Sequence, residues 1–302
     1  MKIIFLGTGG TYPTKARNVA SIVVQLPGEV VMFDCGEGTQ RQLMRSSVSF
    51  MKISRIFITH LHADHFLGLP GLIQSMSLNG REKALSIYGP GGISKDVDNM
   101  LALGYFKSGF RVVTEELDPG TTHDFGQYLV RCARAEHSVP ALALSLEEKP
   151  RPGKFNLRKA KKLGVPEGPL FRRLQEGRPV RVGGREIRPE QVLGPPRRGR
   201  KIVYSGDTKP SRSVIMLAKD ADALIHDCTL DSSHSGLASD FGHSTAAEAA
   251  SVAKQAKAKQ LFLVHVSPRY EDASALESEA RKIFKRSYAP DDMDEVVVRY
   301  RD

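Results

Sequence analysis

Arg55-Ile56-Phe57-Ile58-Thr59-His60-Leu61-His62-Ala63-Asp64-His65 is the stretch whose reading decides the fold. Residues 56–58 form an apolar run of the length and type of a short buried strand. Four side chains able to bind a metal follow within six residues: His60, His62, Asp64 and His65. His60 and His62 are two apart and share a face in extended chain. Asp64 and His65 come after the chain has begun to turn. One tight loop can therefore offer two ligand pairs to two neighbouring cations. Imidazole with carboxylate suits zinc, and manganese or iron are admitted by the same donors. A surface histidine cluster would not be preceded by a core strand.

Working outward, the 302 residues are 40% hydrophobic, enough for one large domain or two modest ones. The chain enters a strand-like run at Lys2 with no charged-then-apolar leader. No apolar stretch approaches the roughly 18 residues that span a bilayer. A cytoplasmic protein without membrane contact is expected. Cys35, Cys132 and Cys228 are scattered and form no C-x-x-C pair, so they read as buried small hydrophobes in a reducing compartment.

The formal charge of +10 is unevenly placed. Residues 149–201 hold 17 Lys+Arg against 4 Asp+Glu, a net of +13 that leaves −3 for the rest of the chain. A basic excess confined to one segment points to a polyanion contact. Eight of the 17 prolines and eight of the 27 glycines fall there too, so only short elements are expected, helices over 156–163 and 170–174. The segment reads as an arm inserted between two strands of the body. Disordered filler is the competing reading of the same composition.

Elsewhere apolar runs predict strands over 2–6, 21–25, 30–33, 85–88, 111–114, 128–133, 141–146, 202–205, 223–226, 260–264 and 295–300. Helical patterning covers 40–45, 67–78, 93–103, 211–219, 246–256 and 273–284. Thr245 and Glu248 would form a capping box on the 246–256 helix. Gly7-Thr8-Gly9-Gly10 lacks the Gly-Lys-Ser/Thr of a phosphate loop and reads as a plain turn. The chain starts β-rich and then alternates β and α. His60, His137, Asp207 and His265 each sit just past a strand. A layered sandwich of sheets with outer helices would bring those strand ends to one rim.

The donors group by charge and geometry. His60, His62 and His137 would hold one zinc, and Asp64, His65 and His265 a second. Asp207 would bridge them, because a carboxylate has two oxygens and an imidazole one free lone pair. Two cations close together activate a water and stabilise a leaving oxyanion, and Asp64 lies near enough to take the water's proton. This grouping requires Asp207 to lie within a few ångströms of the cluster from His60 to His65. His123 and His234 read as exposed, and His226 as a core or supporting residue.

His60-x-His62-x-Asp64-His65, then His137, Asp207 and His265, resembles the metallo-β-lactamase superfamily in order and spacing. Further stretches narrow the resemblance: Phe5-Leu6-Gly7-Thr8-Gly9, Lys15-Ala16-Arg17-Asn18, Phe33-Asp34-Cys35-Gly36-Glu37, Gly68-Leu69-Pro70-Gly71, Ser205-Gly206-Asp207-Thr208 and His243-Ser244-Thr245. With these the whole chain is similar to the short form of the tRNase Z (ribonuclease Z) family. The resemblance implies a four-layer αββα sandwich spanning residues 1–302, with 149–201 as an inserted tRNA-binding arm. It implies a two-zinc endonuclease that removes the 3′ trailer of precursor tRNA and leaves a 3′-hydroxyl. It also implies a homodimer, with Asp64 as proton acceptor and His243 as proton donor. Candidate arm contacts are Lys154, Arg158, Lys159, Lys161, Lys162, Gly168, Pro169, Arg172 and Arg173. The pattern departs at His226-Asp227-Cys228-Thr229, where many relatives read His-Glu-Ala-Thr. The carboxylate is kept but shortened, so its reach to His243 is open. A small-molecule phosphodiesterase or arylsulfatase of the same fold is the alternative, and it has no evident use for the arm.

Overall fold

The apolar runs pair into two seven-stranded sheets in the computed structural model, which describes residues 1–300. The first sheet contains β1 (Lys2–Gly7), β2 (Ser21–Leu26), β3 (Glu29–Phe33), β4 (Ile53–Phe57), β5 (Leu85–Gly89), β6 (Val112–Glu116) and β16 (Glu295–Val297). Its order is β16-β1-β2-β3-β4-β5-β6. The β2–β3 hairpin turns at Pro27-Gly28, where Gly28 takes a left-handed φ of 80°. From β3 to β6 the strands run parallel.

The second sheet contains β7 (Thr122–Asp124), β8 (Tyr128–Ala135), β9 (Ala141–Glu148), β12 (Lys201–Tyr204), β13 (Ala223–Asp227), β14 (Leu261–Val264) and β15 (Ser287–Tyr288). Its order is β15-β14-β13-β12-β9-β8-β7, with β12 to β15 parallel and β9 antiparallel to β12.

Alternation along the strands sorts the side chains into layers. Phe5, Ile22, Phe33 and Phe57 of the first sheet meet Leu144, Tyr204, Ile225 and Phe262 of the second in a shared core. The alternate residues Ile4, Val23, Met32 and Ile56 face α1 (Thr39–Arg45), α3 (Leu69–Leu78) and α4 (Ile93–Leu101). Val203, Leu224 and Leu263 face α7 (Arg212–Leu217), α9 (Ala246–Gln255) and α10 (Ser274–Ile283). The layers are therefore helix, sheet, sheet, helix. Thr245 caps α9 as the capping box predicts, its hydroxyl accepting from the Glu248 N–H while the Glu248 carboxylate accepts from the Thr245 N–H.

Element bounds differ from expectation at a few places. The 67–78 helix starts at Leu69, as α3, with Pro70 in its first turn, and a short helix not expected from the sequence, α2 (Ala63–Phe66), precedes it. The last strand ends at Val297, not at residue 300. β7 carries His123 in what reads as a loop, and α8 (Ser235–Phe241) follows His234 where no helix was expected.

Residues 148–199 form a separate compact unit. It holds α5 (Leu157–Lys162), α6 (Pro169–Gln175) and a hairpin of β10 (Val180–Val182) and β11 (Arg185–Ile187). The two helices match the expected ones, and the hairpin adds to them. Ala160, Val165, Leu174, Val180, Ile187 and Val192 are buried together, so the unit has its own small core and is not structureless filler.

Candidate metal centre

Each candidate ligand leaves the carboxyl end of a strand, the rim where open β/α sheets place their sites. His60 and His62 follow β4, His137 follows β8, Asp207 follows β12 and His265 follows β14. α2 turns the chain so that Asp64 and His65 point back to the same place. Asp207 Oδ2 lies 3.1 Å from His265 Nε2, 3.3 Å from His65 Nε2 and 3.7 Å from His60 Nε2. His62 Nδ1 lies 3.1 Å from both His60 Nε2 and His137 Nε2. Asp64 Oδ2 lies 3.4 Å from His265 Nε2 and 3.7 Å from His65 Nε2. Two donor groups result, His60–His62–His137 and Asp64–His65–His265, and Asp207 groups with His60 and His65 between them.

The far side of four of the five rings is tied down. Thr59 Oγ1 meets His60 Nδ1 at 3.1 Å, and Asp34 Oδ2 takes His65 Nδ1 at 2.7 Å. The Gly242 carbonyl takes His137 Nδ1 at 2.9 Å, and Thr229 Oγ1 meets His265 Nδ1 at 3.0 Å. With Nδ1 occupied, the four Nε2 atoms face inward toward one space. Such outer partners fix the ring and the tautomer a metal ligand needs.

Two buried atoms in that space have no hydrogen-bond partner, His65 Nε2 and Asp207 Oδ1. Buried polar atoms are seldom left so. Burial, and then the neighbouring His65, lowers the His60 ring. Burial also lowers His62 and His137, so all three are neutral imidazoles. Burial would raise Asp207, but His265 and His65 hold it well below the usual carboxylate range. Burial would lower His65, but Asp207 and Asp34 hold it well above its ordinary value. Neutral imidazoles beside charged carboxylates are the protonation state that metal binding demands. The charge on His65 stands where a cation would. The donor set fits metal ions, and the fold implies a metal-ion cofactor.

The chain is 48% identical to Ribonuclease Z of Methanosarcina mazei over 302 residues, covering 100% of this chain and 99% of that protein. This chain belongs to the ribonuclease Z family. It is 44% identical to Ribonuclease Z of Pyrococcus abyssi, covering 99% of this chain and 96% of that one. Residues 178–266 match the family described as Beta-lactamase superfamily domain, and residues 1–145 the one described as Anti-Pycsar protein Apyc1. The crystal structure of human tRNase Z, short form, superposes with a TM-score of 0.73 at 30% identity, covering 99% of this chain and 100% of that one. A long-form RNase Z from yeast shares the fold, with a TM-score of 0.68 at 21% identity, covering 98% of this chain and 41% of that one. Membership of the ribonuclease Z family makes the chain a hydrolytic endonuclease of metallo-β-lactamase fold.

In this chain the shortened carboxylate does reach. Asp227 Oδ2 accepts from His243 Nδ1 at 2.9 Å and from the Thr208 N–H at 3.0 Å. Burial works against the charged His243 ring, but Asp227 raises it to about 9. His226 is buried, its Nδ1 meeting the Asp227 carbonyl at 2.9 Å while Nε2 has no partner. His123 and His234 lie away from the centre, paired with Glu115 and Asp231. Arg17, part of the motif that carried the resemblance, is only 5% exposed. It donates to Thr8 Oγ1 at 2.6 Å, the Pro290 carbonyl at 2.7 Å and Asp291 at 2.6 Å. That guanidinium braces the first loop. Lys154, Arg158, Lys159, Lys161, Lys162, Gly168, Pro169, Arg172 and Arg173 are all exposed in the basic unit. Lys161 pairs there with Glu167 and Arg172 with Glu176.

Sequence reasoning passed over Asp34 as a residue with a task. Its φ of 55° is left-handed, a conformation non-glycine residues adopt at a cost. From it the carboxylate accepts from His65 Nδ1, the Thr59 N–H at 2.8 Å and the Tyr204 hydroxyl at 2.8 Å. A carboxylate just past a buried strand was the available signal. Asp34→Ala is expected to weaken metal retention and cleavage about 10- to 100-fold. Metal content by mass spectrometry beside the cleavage rate checks this, and wild-type values for both would remove Asp34 from the site.

Proposed function

We propose that this chain is a two-zinc endoribonuclease that cuts the 3′ trailer from precursor tRNA and leaves a 3′-hydroxyl. The observation that carries the reading is the full-length relationship to proteins named Ribonuclease Z, joined to the double donor cluster around Asp207. His60, His62 and His137 would hold one ion and Asp64, His65 and His265 the other, with Asp207 available to both. When bound, the two ions lower the pKa of an attacking water and stabilise the oxygen that leaves.

The protein's own groups handle the protons. Asp64, kept charged below the usual carboxylate range and held by the Thr11 N–H at 2.8 Å, accepts the proton of the attacking water. His243 donates to the leaving ribose oxygen through Nε2, since its Nδ1 is committed to Asp227. A donor matters most when the leaving group is poor. His243→Ala is therefore expected to cut cleavage of RNA about 10²- to 10⁴-fold while sparing hydrolysis of an aryl phosphodiester, whose leaving group needs no proton. Equal losses on both substrates would deny His243 that role.

Residues 149–201 serve as the tRNA-binding arm of the single catalytic domain, and two copies of the chain act together as a cytoplasmic homodimer. Folded RNA is recognised chiefly by shape and backbone, which suits exposed Lys and Arg better than a groove of aromatic rings. A small-molecule phosphodiesterase or arylsulfatase would leave this unit without a task. No helix among the described residues is long and apolar enough to cross a membrane.

Cleavage of a 3′-extended tRNA with mapped product ends, with and without a chelator, tests the reading. A single cut at the tRNA 3′ end, abolished by chelation and restored by zinc, is expected. An intact precursor under conditions where a small phosphodiester is hydrolysed would refute it.

A further inference from the structure

Phe241 closes α8 with 63% of its surface exposed, and it belongs to none of the packed apolar clusters among the described residues. It lines the cleft that also holds His62, His137, Asp207 and His243. Leu237, one turn earlier on α8, is 36% exposed and lines the same cleft. A single exposed apolar residue needs no explanation. Two of them, four apart on one helix and turned into a cleft walled by imidazoles and carboxylates, do.

The backbone fixes where the ring sits. Gly242, the next residue, has a left-handed φ of 80°. Its carbonyl accepts from His137 Nδ1, and its N–H donates to Ser239 at 3.1 Å. The His243 N–H donates to the Ala238 carbonyl at 2.8 Å. Phe241 is therefore held immediately before the backbone that orients His137 and carries His243. A cleaved strand must lay the reacting phosphate at this centre with its neighbouring bases out of a helix. Stacking on a ring serves such bases without reading their identity, because every base has a π face. Among the described residues, Phe241 and the histidines are the aromatic side chains that line the cleft.

We propose that Phe241 is the stacking platform for the base of a nucleotide next to the scissile phosphate, with Leu237 extending the same surface. The inference rests on the RNA-cleaving reading and adds a substrate contact to it.

The chain has no tryptophan, so Phe241→Trp installs a single reporter at the site. The variant, held in chelator, is titrated with 3′-extended tRNA, and quenching of its fluorescence is expected. With zinc restored, the same variant should cleave within about threefold of wild type. Phe241→Leu and Phe241→Ala should each lose about 5- to 150-fold in kcat/KM on the RNA, the span expected for one stacked base. Their hydrolysis of bis(p-nitrophenyl) phosphate should stay within about twofold, which shows the site intact. A leucine variant that matches wild type on RNA would overturn the proposal, as would an active tryptophan variant without quenching. So would equal losses on both substrates, or dissociation of an oligomer in Phe241→Ala, which would place the ring against a second copy. Wild-type protein that leaves 3′-extended tRNA uncut would instead defeat the function reading. Cleavage by wild type and variants alike defeats only the stacking.

Discussion

Asp207→Ala is expected to abolish cleavage by about 10³-fold or more and to leave the protein unable to hold a pair of ions. The argument is geometric. One oxygen of Asp207 stands 3.1 to 3.7 Å from three imidazole nitrogens, and the other is buried without a partner. The imidazoles around it cannot replace it, because an imidazole offers a single lone pair where a bridge needs two. Losing a group that merely orients a ligand costs about 10- to 100-fold, and losing one electrostatic stabiliser about 10²- to 10³-fold. A shared ligand does both tasks, so the loss should exceed either. Metal per chain by mass spectrometry, read beside kcat/KM, checks this. Asp207→Asn keeps the volume but loses the charge, and it should resemble the alanine variant in activity. Normal metal content with normal cleavage in either variant would remove Asp207 from the centre.

The same carboxylate sets an acid limit on the metal-free protein. Burial would raise its pKa, but His265 and His65 hold it below the usual range. A depressed carboxylate contributes stability that is present above its unfolded pKa of about 4 and is lost as pH falls. Asp207→Ala should therefore flatten the acid side of the metal-free stability curve, as followed by thermal unfolding.

Much of this centre was legible because buried parallel strands read as unbroken apolar runs. A polar residue that ends such a run stands at the rim, and His60, Asp207 and His265 could be placed from that alone. Asp34 obeys the same rule, yet its task stayed hidden. Which histidine it holds depends on β3 and β4 lying side by side, a tertiary fact. The reach of Asp227 was open for the same reason: whether a shorter carboxylate suffices is set by how closely His243 is brought up. α8 escaped notice because Ser235, Gly236 and Ser239 give little helical signal. The basic unit was legible as charge and punctuation. Its core was not, because the six buried apolar residues are spread over 33 positions, from Ala160 to Val192, with no helical or strand period joining them.

Excising the basic unit should separate substrate capture from chemistry. β9 and β12, which flank it, are antiparallel neighbours with Lys201 opposite Glu147. A short Gly-containing turn can therefore replace residues 149–199 and leave an ordinary hairpin. The buried apolar residues of the unit form their own cluster, so the cores around the two sheets keep their packing. The shortened chain should retain its metal and hydrolyse bis(p-nitrophenyl) phosphate within about twofold of the full chain. On 3′-extended tRNA it should lose most of its kcat/KM at low salt, whereas the full chain, with a footprint of about six phosphates, should lose about 10³-fold in affinity between about 50 and 200 mM salt. The salt dependence discriminates further. For the full chain, log affinity should fall steeply with log salt, by about 0.9 for each phosphate neutralised. The shortened chain should show a nearly flat line. Replacing Lys159, Lys162 and Arg173 with alanine in the full chain should lower the slope by up to about 2.7, without touching the small substrate. A shortened chain that cleaves precursor tRNA at the full rate, with an unchanged slope, would show that the positive charge there serves something other than this RNA.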